Sequence, residues 1–155
     1  MARRFAEPGS IAAVSSSFTT PLLLIGSASV RAKIFHFVVS TTGAAADGVL
    51  EWVVRRSTAS GTTTAVTPRN LDATDPATAA ATAGSNATTE PTYTANSSLF
   101  DEGINQRATY TWNAWTEGAQ LVVATSANAG IGMSVLSSVA PAYTGVGNAH
   151  FHHEE

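Results

Sequence analysis

The chain has 155 residues, a formal net charge of −3 and 12% charged side chains, about half the usual share. That length suits one domain with a real core and is too short for two ordinary domains. Lys33 is the only lysine and cysteine is absent, which argues against a basic field for nucleic acid and excludes disulfides, thiolate metal sites and cysteine nucleophiles.

Residues 1–9 contain Arg3, Arg4, Phe5, Pro8 and Gly9 without periodicity, and are predicted to form an extended N-terminal arm. The remainder, 10–155, is predicted to be a single domain. No apolar stretch follows the two arginines, so this is not read as a signal peptide. The apolar run 21–26 is far too short to cross a bilayer. The expected product is soluble and made in the cytoplasm, with no membrane partner.

Residues 10–18 are read as a first edge strand and 21–26 as a short buried one. Residues 30–40 are rich in β-branched and aromatic side chains, which favours a third strand. Asp47-Gly48 marks a turn. In the run that follows, Leu50, Trp52 and Val54 share one face, with Glu51 and Arg55 on the other. Residues 57–70 read as a Ser/Thr-rich loop with room for a short strand. One short helix is predicted over 76–83, with Asp75 as N-cap, Pro76 in the first turn and Gly84 as terminator. Strands resume at 92–98 and at 107–115, where Ala108, Tyr110, Trp112 and Ala114 alternate with Arg107, Thr109, Thr111 and Asn113. The turn at Thr116-Glu117-Gly118-Ala119 predicts a hairpin between 107–115 and 120–126. Strands at 131–139 and 148–153 complete the pattern, the last with Ala149, Phe151 and His153 opposite His150, His152 and Glu154. The fold class is therefore all-β: an antiparallel β-sandwich or jelly-roll-like domain of about eight strands and one short helix.

No catalytic constellation emerges. The serines lack a Gly-x-Ser-x-Gly setting, Asp101 and Glu102 are adjacent and so face apart on a strand, and the glycines form no phosphate-binding loop. No cofactor is expected. His150 and His152 face one way from a strand, as two metal ligands would. A third ligand from elsewhere is required and the only histidine outside 150–153 is His36, so no metal is expected and the cluster is read as a polar terminal strand. Trp52 and Trp112 are assigned to the core and Trp115 to the surface. Candidate partner contacts are Arg3, Arg4, Phe5, Arg55 and Trp115: Phe5 as an apolar anchor, the arginines as partners for carboxylates.

The segment Phe100-Asp101-Glu102-Gly103-Ile104-Asn105-Gln106-Arg107-Ala108-Thr109-Tyr110-Thr111-Trp112 resembles one found in small virion structural proteins of tailed bacteriophages. Thr67-Pro68-Arg69-Asn70-Leu71-Asp72, running into Asp75-Pro76-Ala77, and the strand-like ending on Glu154-Glu155 fit the same picture. Together these blocks lie in roughly the C-terminal two-thirds of the chain. The resemblance implies a head decoration, or cement, protein: non-enzymatic, homotrimeric, bound to the major capsid protein on the virion surface. His150-Phe151-His152-His153 departs from the aromatic and aliphatic residues usual before the acidic pair. Two other readings stand beside this one. The first is a tail-associated or head-to-tail adaptor, which would assemble in rings. The second is a carbohydrate-binding or enzymatic β-domain; glycan binding would show as a pocket with Trp115 exposed beside polar side chains.

Overall fold

The computed structural model describes residues 2–44, 46–76, 78–137, 143 and 145–155. Twelve strands lie among these residues: β1 Arg4–Ile11, β2 Thr19–Ile25, β3 Lys33–Thr42, β4 Val49–Ala59, β5 Thr62–Val66, β6 Arg69–Asn70, β7 Thr82–Thr89, β8 Thr92–Asn105, β9 Tyr110–Asn113, β10 Leu121–Val122, β11 Gly130–Ser137 and β12 Val146–Glu154. They form two antiparallel sheets. Sheet A runs β10-β3-β12-β1-β6, with β9 also on β3; sheet B runs β5-β7-β2-β11-β4-β8. The all-β sandwich expected from the sequence is present, with twelve strands rather than eight because several are only two to five residues long.

Alternation decides what each sheet buries. From sheet A, Ile34, Phe37 and Val39 of β3 and Ala149 and Phe151 of β12 enter the core. From sheet B, Leu22 and Leu24 of β2, Leu50, Trp52 and Val54 of β4, and Ile131, Met133 and Val135 of β11 meet them. Each such aliphatic or aromatic side chain contributes about 1.5–3 kcal/mol when fully buried. Leu23 is equally buried yet lies outside that cluster, because the outer face of sheet B is itself covered. Phe18 and Tyr93 lie there with the Arg55 guanidinium between them, 4.6 Å and 4.2 Å from their ring centres. Gly132 is what lets Tyr93 settle: a Cβ at that position would overlap the Tyr93 hydroxyl.

Four sequence expectations are corrected. Residues 1–9 are not an arm. β1 runs from Arg4 through Ile11 and pairs with β12 over its whole length, from Arg4↔Glu154 to Ile11↔Gly147. Beyond Ala6 its other edge pairs with no strand among the described residues, since β6 meets only Phe5 and Ala6; strand prolines such as Pro8 occur in that setting. Gly9 permits the close crossing over β2, where a Cβ would collide with the Pro21 carbonyl.

The helix predicted over 76–83 is also absent from the described residues. Residues 78–81 are irregular, and β7 begins at Thr82; Ala77 lies outside the described residues. A helix of about two turns is marginal without packing. Here the backbone N–H groups of Ala80 and Ala81 donate instead to the Glu155 carboxylate, and Ala81 and Ala83 enter the core.

The hairpin between 107–115 and 120–126 does not form. β9 and β10 both pair with β3, one after the other along the same edge, around a single 3-10 turn at Glu117–Ala119. Stacking of Trp112 on Phe37, with centroids 5.1 Å apart, holds β9 to that edge. The early strand expected at 10–18 reduces to Ser10 and Ile11 at the end of β1, and the late one at 131–139 matches β11 as far as Ser137, with 138–139 outside the described residues.

Candidate functional site

The outer face of sheet A carries the chemistry. Between β3 and β12 the register shifts: His152 pairs with His36, but His153 pairs with Ile34. Phe35 is the extra residue of this bulge. A bulge re-aims side chains, and here Phe35 and His36 both stand outside while Ile34 and Phe37 remain in the core.

Phe35 and Arg4 are the centre of a groove. On one side Trp115, Glu117, Gln120 and Glu154 line a depression of about 520 Å³ with them. On the other, Leu71, Asp72 and Asp75 line one of about 460 Å³. Trp115 is 92% exposed, the most exposed large hydrophobic residue among those described. Polar contacts knit the floor: the Gln120 side-chain amide donates to Glu154 at 2.9 Å. Glu154 lies 3.7 Å from Lys33 and 3.8 Å from Arg4, and the Arg4 guanidinium sits 5.6 Å from the Phe35 ring centre.

Of the candidate contact residues, the fold brings Arg4 and Trp115 together in this groove. Arg3 is close by but engaged, ion-paired to Glu155 at 3.1 Å. Phe5 is removed from the set: it is fully buried and stacks on His153 at 5.3 Å, so it anchors the sandwich and no partner. Arg55 lies on the opposite sheet, enclosed by Phe18 and Tyr93. Phe35, Leu71 and Gln120 were missed, because a bulge and a distant loop leave no local pattern.

Next to the groove, three imidazoles meet. His152 lies 4.6 Å from His36 and 4.7 Å from His150, centre to centre. His36 Nδ1 is 2.7 Å from Asn113 Oδ1. His150 Nε2 is buried with no hydrogen-bond partner among the described residues. Burial, followed by the neighbouring imidazoles, holds His152 down at about 4 and lowers His150. The rings contact one another, and among the described residues no three His, Asp or Glu side chains stand preassembled around a cation position.

On the inner face the fourth histidine is enclosed by carboxylates. His153 Nδ1 lies 3.0 Å from Glu7 Oε2 and its Nε2 is 3.5 Å from Glu155 Oε1, with all three side chains buried. Burial opposes charging of His153, but hydrogen bonds and charge from Glu155 and Glu7 outweigh it and raise its pKa to about 9. Glu155 shows the converse. Burial pushes it up, yet His153 and the N–H groups of Ala80 and Ala81 bring it to about 2. Glu7 is raised, chiefly by burial. The trio lies where the first strand meets the last and acts as a structural lock between them.

No protein-family model, characterised protein or solved structure matches this chain.

Proposed function

We propose that this chain is a non-enzymatic structural protein that binds another protein through the outer face of sheet A, and that its partner is the major capsid protein of a tailed phage. The observation that carries the binding reading is the groove: Trp115, exposed on the connection between β9 and β10, beside Arg4 and Phe35 of sheet A. Exposed aromatic and arginine side chains are the residue types that dominate interface energies, and the low charge of the chain suits close packing against a protein surface. The capsid as partner, and trimeric assembly at three-fold positions, rest on the resemblance of 100–112 to virion proteins.

The test is direct. Purified chain is mixed with undecorated capsids and imaged. Density at three-fold positions, reduced by Trp115→Ala, is the expected result. Density in rings at the portal or tail supports the adaptor reading, and no association with any particle rejects the virion reading.

One observation favours a second reading. Trp115 is exposed beside Glu117, Gln120 and Glu154 in a shallow depression, and an aromatic platform flanked by amide and carboxylate groups is suited to a sugar ring. Saturable binding of an oligosaccharide, abolished by Trp115→Ala, would favour a carbohydrate-binding module.

A further inference from the structure

We propose that His36, His150 and His152 form a binding site for a divalent transition cation of the nickel, copper and zinc group on the outer face of sheet A. The sequence alone supplied two imidazoles and expected no metal. The β3–β12 register supplies the third, by placing His36 directly opposite His152.

The backbone arrangement suits facial coordination. His150 and His152 are two apart on β12 and so project from one face. His36 projects from the same face of the adjoining strand, where directly paired Cβ atoms lie about 4.5–5.5 Å apart. Three nitrogens bound at about 2.0–2.1 Å place neighbouring ring centres roughly 5 Å apart. The observed spacings around His152 are 4.6 Å and 4.7 Å. The ring nitrogens do not converge on one point as they stand, so binding requires the side chains to rotate.

Two details point to a ligand. The Nε2 of His150 is a buried polar atom without a partner among the described residues, and leaving such an atom unsatisfied is unfavourable. A cation would satisfy it. The second detail is Asn113. With Nδ1–H of His36 donating to Asn113 Oδ1 at 2.7 Å, the lone pair of His36 is left on Nε2. That is the outer-sphere support found behind metal-bound histidines.

Imidazole ligands select zinc, copper and nickel over magnesium and calcium, which prefer oxygen. Three protein ligands leave at least one coordination position open. The site does not depend on the capsid-binding reading.

The experiment is calorimetric titration of the full chain with Zn²⁺, Ni²⁺ and Cu²⁺, alongside His36→Ala, His150→Ala, His152→Ala and Asn113→Ala. One ion per chain is expected. Asn113→Ala should weaken binding by about 10–100-fold, the usual effect of losing outer-sphere support, and each histidine variant by more. Paramagnetic resonance of the unmutated chain with Cu²⁺ should show coupling to three imidazole nitrogens, a readout that needs no variant to fold. Either of two outcomes overturns the proposal: no saturable binding at one equivalent, or affinity unchanged in His36→Ala, which would reduce the site to an ordinary pair two residues apart.

Discussion

His153 and Glu7 are diagonal neighbours across the β1–β12 pair, with Nδ1 3.0 Å from the carboxylate and neither side chain exposed. They stand 146 residues apart in the chain. Their contact, with Glu155 on the other side of the ring, ties the first strand to the last inside the sandwich. Removing one member of a buried pair leaves an uncompensated charge and costs about 3–5 kcal/mol, whereas replacing the pair by apolar residues of similar volume is often neutral or stabilising. His153→Ala should therefore destabilise the fold strongly in denaturant titration. The double change Glu7→Leu, His153→Phe should recover a large part of the loss. Equal stability of His153→Ala and the unmutated protein would contradict the lock.

The same trio sets the pH dependence. The pKa of His153 is raised to about 9 from 6.5, so the folded state binds the proton more tightly than the unfolded chain. Its stabilisation is fully present below pH 6.5 and is lost as pH rises through about 9. The shift corresponds to about 3 kcal/mol as an upper figure. Glu155 works in the opposite sense. Held at about 2 against 4.5, it stabilises above pH 4.5, and that contribution disappears as pH falls through about 2. Denaturation midpoints across pH 3 to 10 should fall at the alkaline end, and His153→Phe should flatten that decline.

Deletion of residues 2–8 tests the place of β1. A free arm would leave the melting temperature unchanged. Because Phe5 and Glu7 are buried and all of β1 pairs with β12, the deletion should unfold the domain. Phe5→Ala alone should cost about 3–5 kcal/mol, read from chemical denaturation.

Gly132 and Tyr93 should be coupled. Gly132→Ala forces a methyl group into the Tyr93 hydroxyl, and overpacking of this kind costs about 1–3 kcal/mol. Tyr93→Phe removes the clashing oxygen, while Thr20 keeps its hydrogen bond to Glu90 at 2.6 Å. The double variant should be more stable than the two single losses add up to, and a strictly additive double-mutant cycle would refute the contact.

Trp115→Ala should leave stability within about 0.5 kcal/mol, the usual range for surface positions away from special features, since the side chain is 92% exposed. Any loss of partner or glycan binding in that variant can then be assigned to the groove. A large drop in melting temperature would show that Trp115 packs against the fold instead.

The all-β class and the inward faces were legible in the sequence, because strand alternation is a local property with a period of two residues. Leu50, Trp52 and Val54 point into the core as their spacing dictates, and so do Ala149, Phe151 and His153. Turn residues and β-branched runs placed β2, β3, β4 and β12 within a few positions. What the tertiary structure alone decided is pairing. Whether residues 4–11 are an arm or an inner strand depends on β12 offering an edge at the other end of the chain. The Ala-rich stretch after Pro76 lost its helix to a carboxylate at residue 155. β9 and β10 chose β3 over each other. His36 reached His152 only through a register that a single bulged residue sets. Each of these outcomes is a competition between partners distant in sequence, and no local pattern records which partner wins.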